Sequence, residues 1–69
     1  MSFTAQIGDL FIVIWESSTY ESRATKTGLT EKQRWDSTYP SPVVIYEANS
    51  TSVQLGLGGN SFGYFRVTF

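Results

Sequence analysis

The sequence predicts a small all-β domain of about five antiparallel strands, folded as a small barrel or a strongly bent sheet. Apolar and polar residues alternate along Val43–Leu57 and again along Phe62–Phe69, which is the period of a strand with one buried face. The apolar run Leu10–Trp15 has the length of a single strand. All 69 residues are assigned to one domain, because a chain of this size builds only one hydrophobic core.

The run Leu10–Trp15 is apolar at every position, so both faces of this strand are apolar. A half-exposed strand would alternate, and two interpretations therefore stay open. The strand is either central, with both sides covered by the rest of the chain, or it presents one face to a partner as a homodimer interface. Two ways of supplementing a small core remain without cysteine, namely dense aromatic packing and self-association.

Residues 16–42 form a polar excursion, since eight of the eleven charged residues lie there and apolar residues are too few for a second core. Two local structures compete for its middle. Weak alternation favours a ragged hairpin of roughly Ser18–Lys26 and Thr30–Ser37. The run Thr30-Glu31-Lys32-Gln33 instead matches a capping box, which predicts one helical turn reaching Arg34 or Trp35.

The stretch Val43–Leu57 is predicted to be a β-hairpin. Apolar residues recur at alternate positions on both arms, and the polar run Asn49-Ser50-Thr51-Ser52 separates them. A second turn is predicted at Gly58-Gly59-Asn60-Ser61, before the last strand. One parity of these strands is expected to build the core, which then consists of Ile7, Leu10, Ile12, Ile14, Val43, Ile45, Val53, Leu55, Phe65 and Val67.

The opening Ile7-Gly8-Asp9-Leu10-Phe11-Ile12-Val13 and the meander from Val43 to Phe69 resemble an SH3-like small barrel. The resemblance implies a barrel in which the long loop after the first strand helps to form a ligand groove. The acidic, tyrosine-rich signature of proline-peptide-binding SH3 domains is missing, so recognition of proline-rich ligands is not expected. Size and composition are also similar to those of accessory proteins of bacteriophages and mobile elements, which implies an intracellular protein partner.

Composition argues against catalysis, metal binding and membrane insertion. Histidine and cysteine are absent, which removes the commonest metal ligand, the usual general base and the best nucleophile. The motifs indicate no cofactor. The N-terminal segment lacks the features of a secretory signal, and the longest apolar run is too short to span a bilayer. We therefore expect a non-catalytic cytoplasmic protein without a cofactor, a metal or a membrane partner.

The function expected from these patterns is protein–protein interaction, with a host protein or with a second copy of the chain as a homo-oligomer. The candidate partner-binding residues are the basic and aromatic side chains of the excursion, namely Arg23, Lys26, Lys32, Arg34, Trp35 and Tyr39. Trp, Tyr and Arg are the residue types that anchor interfaces.

Binding of single-stranded nucleic acid is the alternative for the same residues. Basic side chains beside aromatic ones can neutralise phosphates and stack on bases. Against this, residues 16–41 contain four basic and four acidic residues, so their net charge is zero. The chain as a whole carries a net charge of −1 and has no general attraction for a polyanion.

Overall fold

The computed structural model describes residues 2–35, 41–56 and 62–69, which form seven strands and one short helix. The predicted all-β class is confirmed. The elements are β1 Ser2–Thr4, β2 Leu10–Trp15, α1 Ser18–Arg23, β3 Thr25–Thr27, β4 Leu29–Trp35, β5 Val43–Ala48, β6 Ser52–Gly56 and β7 Phe62–Val67.

Two antiparallel sheets contain these strands, and they do not close into one barrel over the residues described. One sheet has three strands in the order β1-β6-β3, and the other has four in the order β4-β5-β2-β7. The predicted strand Leu10–Trp15 is β2, a central strand of the larger sheet. Seven strands therefore take the place of the five or so that were expected.

The core lies between the two sheets. Its buried apolar side chains come from β2, β5 and β6 and from the segment after β1, and they are Ala5, Phe11, Val13, Trp15, Val44, Tyr46, Ala48, Val53 and Leu55. The Phe3 ring of β1 bridges the sheets, with its centroid 5.4 Å from that of Phe11 and 5.2 Å from that of Tyr64. We call the side of the four-stranded sheet that meets this core its inner face.

The pairing predicted for the Val43–Leu57 hairpin is wrong, although a polar connection does separate the two strands. β5 pairs with β4 and β2, whereas β6 pairs with β1 and β3 in the other sheet. The backbone N–H of Asn49 donates to the carbonyl of Gly28 at 2.9 Å, which ties the connection to the turn before β4. Alternation specifies which face of a strand is buried but not which strand is its neighbour.

The second arm of the hairpin predicted in the polar excursion is confirmed as strand β4, whereas most of its first arm and the alternative helical turn are wrong. Residues 18–23 form a helix whose N-cap is Ser17, with its hydroxyl oxygen accepting the N–H of Tyr20 at 3.3 Å. The proposed helical turn at residues 30–35 is strand β4, because these residues pair with β5. β3 and β4 belong to different sheets. Gly28 joins them at a φ of +76°, where a Cβ would also collide with the Ser52 carbonyl oxygen.

The predicted core has the wrong parity on three of its strands. Val53 and Leu55 are buried as predicted, but on β2 and β5 the fully buried residues are the neighbours of those predicted. Phe65 on β7 is 64% exposed. Both parities of β2 are apolar, so the alternation that normally selects the buried face is missing there. The turn predicted at residues 58–61 lies outside the described residues.

Candidate functional site

The side of the four-stranded sheet that points away from the core is the candidate site, and we call it the outer face. Strand registers define three rows across β7, β2, β5 and β4 in that order. The rows are Gly63-Ile14-Val43-Trp35, Phe65-Ile12-Ile45-Gln33 and Val67-Leu10-Glu47-Thr30.

Eight of these side chains are apolar and adjoin one another. Phe65 is 64% exposed, Trp35 52%, Ile14 42% and Val67 36%, while Leu10, Ile12, Val43 and Ile45 are half-buried. The polar side chains Gln33, Glu47 and Thr30 occupy one corner, at the β4 end of two rows. A contiguous apolar patch of this kind on a small domain is typical of an interaction surface.

The outer face of the three-stranded sheet is different. Along each of its strands, the outward residues alternate with those that face the core, such as Val53 and Leu55 on β6. All of the outward side chains are polar and exposed, and they are Ser2, Thr4, Thr25, Thr27, Ser52 and Gln54. The two sheets of one sandwich therefore present opposite surfaces to solvent.

A charged cluster closes the inner side of the sandwich at β4. The buried carboxylate of Glu21 on α1 accepts hydrogen bonds from Lys26 Nζ at 2.9 Å and from Arg34 Nη1 at 3.2 Å. Arg34 also donates from Nε and Nη2 to Glu31, at 2.9 and 2.8 Å. Burial by itself raises the pKa of Glu21, but the hydrogen bonds and charges of Arg34 and Lys26 outweigh it and lower that pKa.

A second charged contact closes the inner side at β7. Arg66 Nη2 donates to the Thr4 carbonyl at 2.7 Å and lies 3.2 Å from the buried Asp9 carboxylate. Its guanidinium carbon is 5.5 Å from the centroid of the Phe11 ring. Charged side chains that point inward from edge strands also discourage pairing with further strands.

Tyr46 lies where the apolar core meets the cluster around Glu21. Tyr46 is 3% exposed, and burial raises the pKa of its phenol from 10.0 to about 12. The neutral phenol is therefore the form that this interior holds.

The structure divides the predicted binding residues between different places. Lys26 and Arg34 meet at Glu21, as described above, while Arg23 on α1 and Lys32 on β4 are exposed. Lys32 coincides with a register shift in the pairing of β4 with β5. Trp35 is adjacent to Arg34 in sequence and lies on the opposite face of β4, in a row with Val43. Tyr39 lies outside the described residues.

Sequence reasoning named one of the eight apolar residues of the outer face, Trp35, as a candidate for binding. The other seven belong to the core that the sequence predicts. The sequence signal for an apolar outer face is the run of six apolar residues in β2, which is also consistent with one face of this strand meeting a partner.

Comparisons with protein-family models, curated proteins and solved structures find no significant match to this chain. In the part of the chain that the structure describes, no helix has the length and apolar character needed to cross a membrane. The same residues contain no group of three or more His, Cys, Asp or Glu side chains able to hold a metal ion.

Proposed function

We propose that this chain is a non-catalytic protein-interaction module that binds its partner through the outer face of the four-stranded sheet. The observation that carries the proposal is the uncovered apolar patch formed by eight adjoining side chains across four strands. The polar outer face of the three-stranded sheet supports it, because the same chain follows the usual surface composition there.

The size of the patch is also consistent with a contact surface. Four strands about 4.8 Å apart, with five residues rising about 3.3 Å each, cover roughly 300 Å² in projection. Eight of the twelve positions are apolar, so roughly 200 Å² of this area is apolar, and removing it from water contributes about 5 kcal/mol before the costs of association are subtracted. Trp35 and Phe65 add aromatic anchors of the kind that dominate binding energies.

Single-strand nucleic-acid binding receives less support. Lys26 and Arg34 are engaged by Glu21 and Glu31, so their charges are largely balanced within the protein. Trp35 points to the other side of β4 and cannot stack bases beside Arg34. We expect oligonucleotide affinity to be weak and unchanged when Arg23 and Lys32 are replaced by Ala. A fluorescence titration of a mixed oligonucleotide at two salt concentrations measures this.

Site-directed photo-crosslinking tests the proposed surface directly. A benzoylphenylalanine replacing Phe65 places the reactive group on the outer face, and one replacing Gln54 places it on the polar face of the other sheet as a control. We expect protein adducts from position 65 in cells and far fewer from position 54. Equal yields at the two positions would contradict the proposal, and so would an absence of adducts at position 65.

The mass of each adduct identifies the class of partner. Adducts of twice the chain mass indicate a second copy, whereas other masses indicate a different protein. The expected cytoplasmic role as an accessory protein of a phage or mobile element stays a prediction, and the identity of a foreign adduct would test it.

A further inference from the structure

We infer that the partner covering the outer face is a second copy of this chain, packed face to face to form a closed homodimer. The inference rests on the proposed interaction surface and adds the identity of what covers it. Three features of the described residues carry it, namely the area of the patch, its chemistry and the position of its polar corner.

The area matches the lower limit of a specific dimer. Each outer face covers roughly 300 Å² in projection, and its accessible area is larger because side chains such as Trp35 and Phe65 each expose about 100 Å². Two faces packed together therefore bury on the order of 1,000 Å² in total, which is where specific interfaces begin. An interface of this size predicts dissociation at micromolar concentrations rather than a permanent dimer.

The side chains of the outer face are compatible with packing against the same face of a second copy. Within the three rows Glu47 is the only charged side chain, so two copies bring together apolar surfaces with little electrostatic repulsion. No cluster of charge on this face selects a partner of opposite sign. A two-fold axis makes such a contact self-complementary, and two sheet faces packed about 10 Å apart form the interior of a β-sandwich.

The polar corner is compatible with this symmetry. A two-fold axis running along β2 lays β2 over its copy and brings β7 of one chain over β5 of the other. Phe65 then faces Ile45 of the second copy. β4 extends past the edge of the partner sheet, so Thr30 and Gln33 stay in solvent at the rim, while Trp35 can cover the partner's β7 edge. Glu47 lies opposite Val67 of the second copy in the end row, where its carboxylate can reach solvent. The interface thus has an apolar centre and a polar rim.

Sedimentation equilibrium from about 1 μM to about 500 μM tests the inference. For the intact chain we expect the mass to rise from 7.7 kDa towards twice that value and no further. Phe65→Glu is expected to weaken dimerisation at least about 30-fold, as for a hot-spot residue. The control Gln54→Glu adds the same charge on the polar face and should leave the dissociation constant unchanged.

Ile14→Glu separates face-to-face packing from pairing between two β7 edges. Ile14 lies on the central strand β2, so a charge there disrupts the face and leaves the β7 edge intact. We expect it to weaken dimerisation as strongly as Phe65→Glu. A dimer that Ile14→Glu leaves intact would overturn the face-to-face arrangement. Far-UV circular dichroism establishes that each variant is folded before its mass is interpreted.

A mass of 7.7 kDa for the intact chain at all concentrations would overturn the inference, and so would growth beyond the dimer. The proposed function fails separately. If the chain is monomeric but position 65 crosslinks to a foreign protein, the outer face is an interaction surface for a different partner. If neither occurs, both the inference and the proposed function are wrong. The melting temperature of the intact chain gives an independent readout, because dimerisation makes it rise with protein concentration.

Discussion

The outer faces of the two sheets differ clearly in the side chains that they expose to solvent. The outer face of the three-stranded sheet exposes Ser, Thr and Gln side chains, which is the usual composition of a solvent-exposed sheet face. The four-stranded sheet exposes mainly Ile, Val, Leu, Phe and Trp side chains, and its polar residues Gln33, Glu47 and Thr30 lie at one corner. The central strands β2, β5 and β6 are apolar on their inner faces in both sheets, so the apolar character of the strands does not by itself explain the difference between the outer faces. This contrast is the basis of our proposal that a partner covers the outer face of the four-stranded sheet.

The inner side of the four-stranded sheet sharpens this contrast. Its two edge strands each direct an arginine inward, Arg34 to Glu21 and Arg66 to Asp9. These charged contacts close the sandwich at both margins, and the apolar residues between them are fully covered. Charge is therefore present on the side that is already closed and nearly absent from the side that is open.

The largest expected effect on stability comes from removing a phenylalanine ring from the inner face of the four-stranded sheet, compared with removing one from its outer face. Phe11→Ala removes a fully buried ring from the inner face and should lower the free energy of unfolding by about 3–5 kcal/mol. Phe65→Ala removes a ring that is 64% exposed, and should cost within about 1 kcal/mol in dilute protein. Urea denaturation at low protein concentration measures both. Similar costs for the two variants would mean that the faces are not different environments.

Alkaline pH tests whether the interior between the sheets is closed. Burial raises the pKa of Tyr46 to about 12, so the folded state holds the phenol proton more tightly than the unfolded state does. The protonated phenol therefore contributes fully to the free energy of unfolding below pH 10, and this contribution is lost as pH rises from 10 to about 12. The loss is on the order of 2 kcal/mol at the upper end.

Tyr46→Phe supplies the control, because Phe cannot ionise. Urea denaturation at stepped pH should show a shallower decline for this variant than for the intact chain. A decline of equal steepness in both proteins would place the Tyr46 hydroxyl in contact with solvent.

A smaller effect is expected from the charged cluster at β4. Glu21→Gln removes the buried charge that Lys26 and Arg34 share, and should cost about 1–2 kcal/mol. The matched change Glu31→Gln affects an exposed partner of the same arginine and should cost within about 0.5 kcal/mol. Thermal or urea unfolding compares the two. A larger cost at Glu31 would mean that the cluster does not close the core.

The fold class and the position of β2 could be predicted from the sequence, because length and apolar character suffice for a buried strand. The strands that pair with β5 and β6 could not be predicted, because the alternation of apolar and polar residues is the same whichever sheet a strand joins. The helix α1 has a detectable signal in the sequence, since Ser17 supplies the N-cap and Glu21 a favourable charge in the first turn. It was obscured because the same segment also alternates weakly.

The outer face differs from the set of residues that the sequence predicts for partner binding, and among the described residues Trp35 belongs to both. Aromatic and basic residues of residues 16–42 were expected to bind a partner, and two of the basic residues instead close the sandwich. The outer face escaped prediction because its residues look like core residues in sequence. A strand that is apolar on both faces leaves open which face is inside, and only the pairing of all four strands decides it.

The central claim is that alternate residues of β2 face the core and an open surface, and thiol labelling of single-cysteine variants tests it most directly. The chain has no cysteine, so each variant carries one thiol. In dilute native protein, Ile14→Cys should react about as fast as the exposed control Gln54→Cys, and Val13→Cys should react only after unfolding. At high concentration, labelling of Ile14→Cys alone should slow as the faces pack together. Rapid labelling of Val13→Cys with protection of Ile14→Cys in dilute protein would contradict the account.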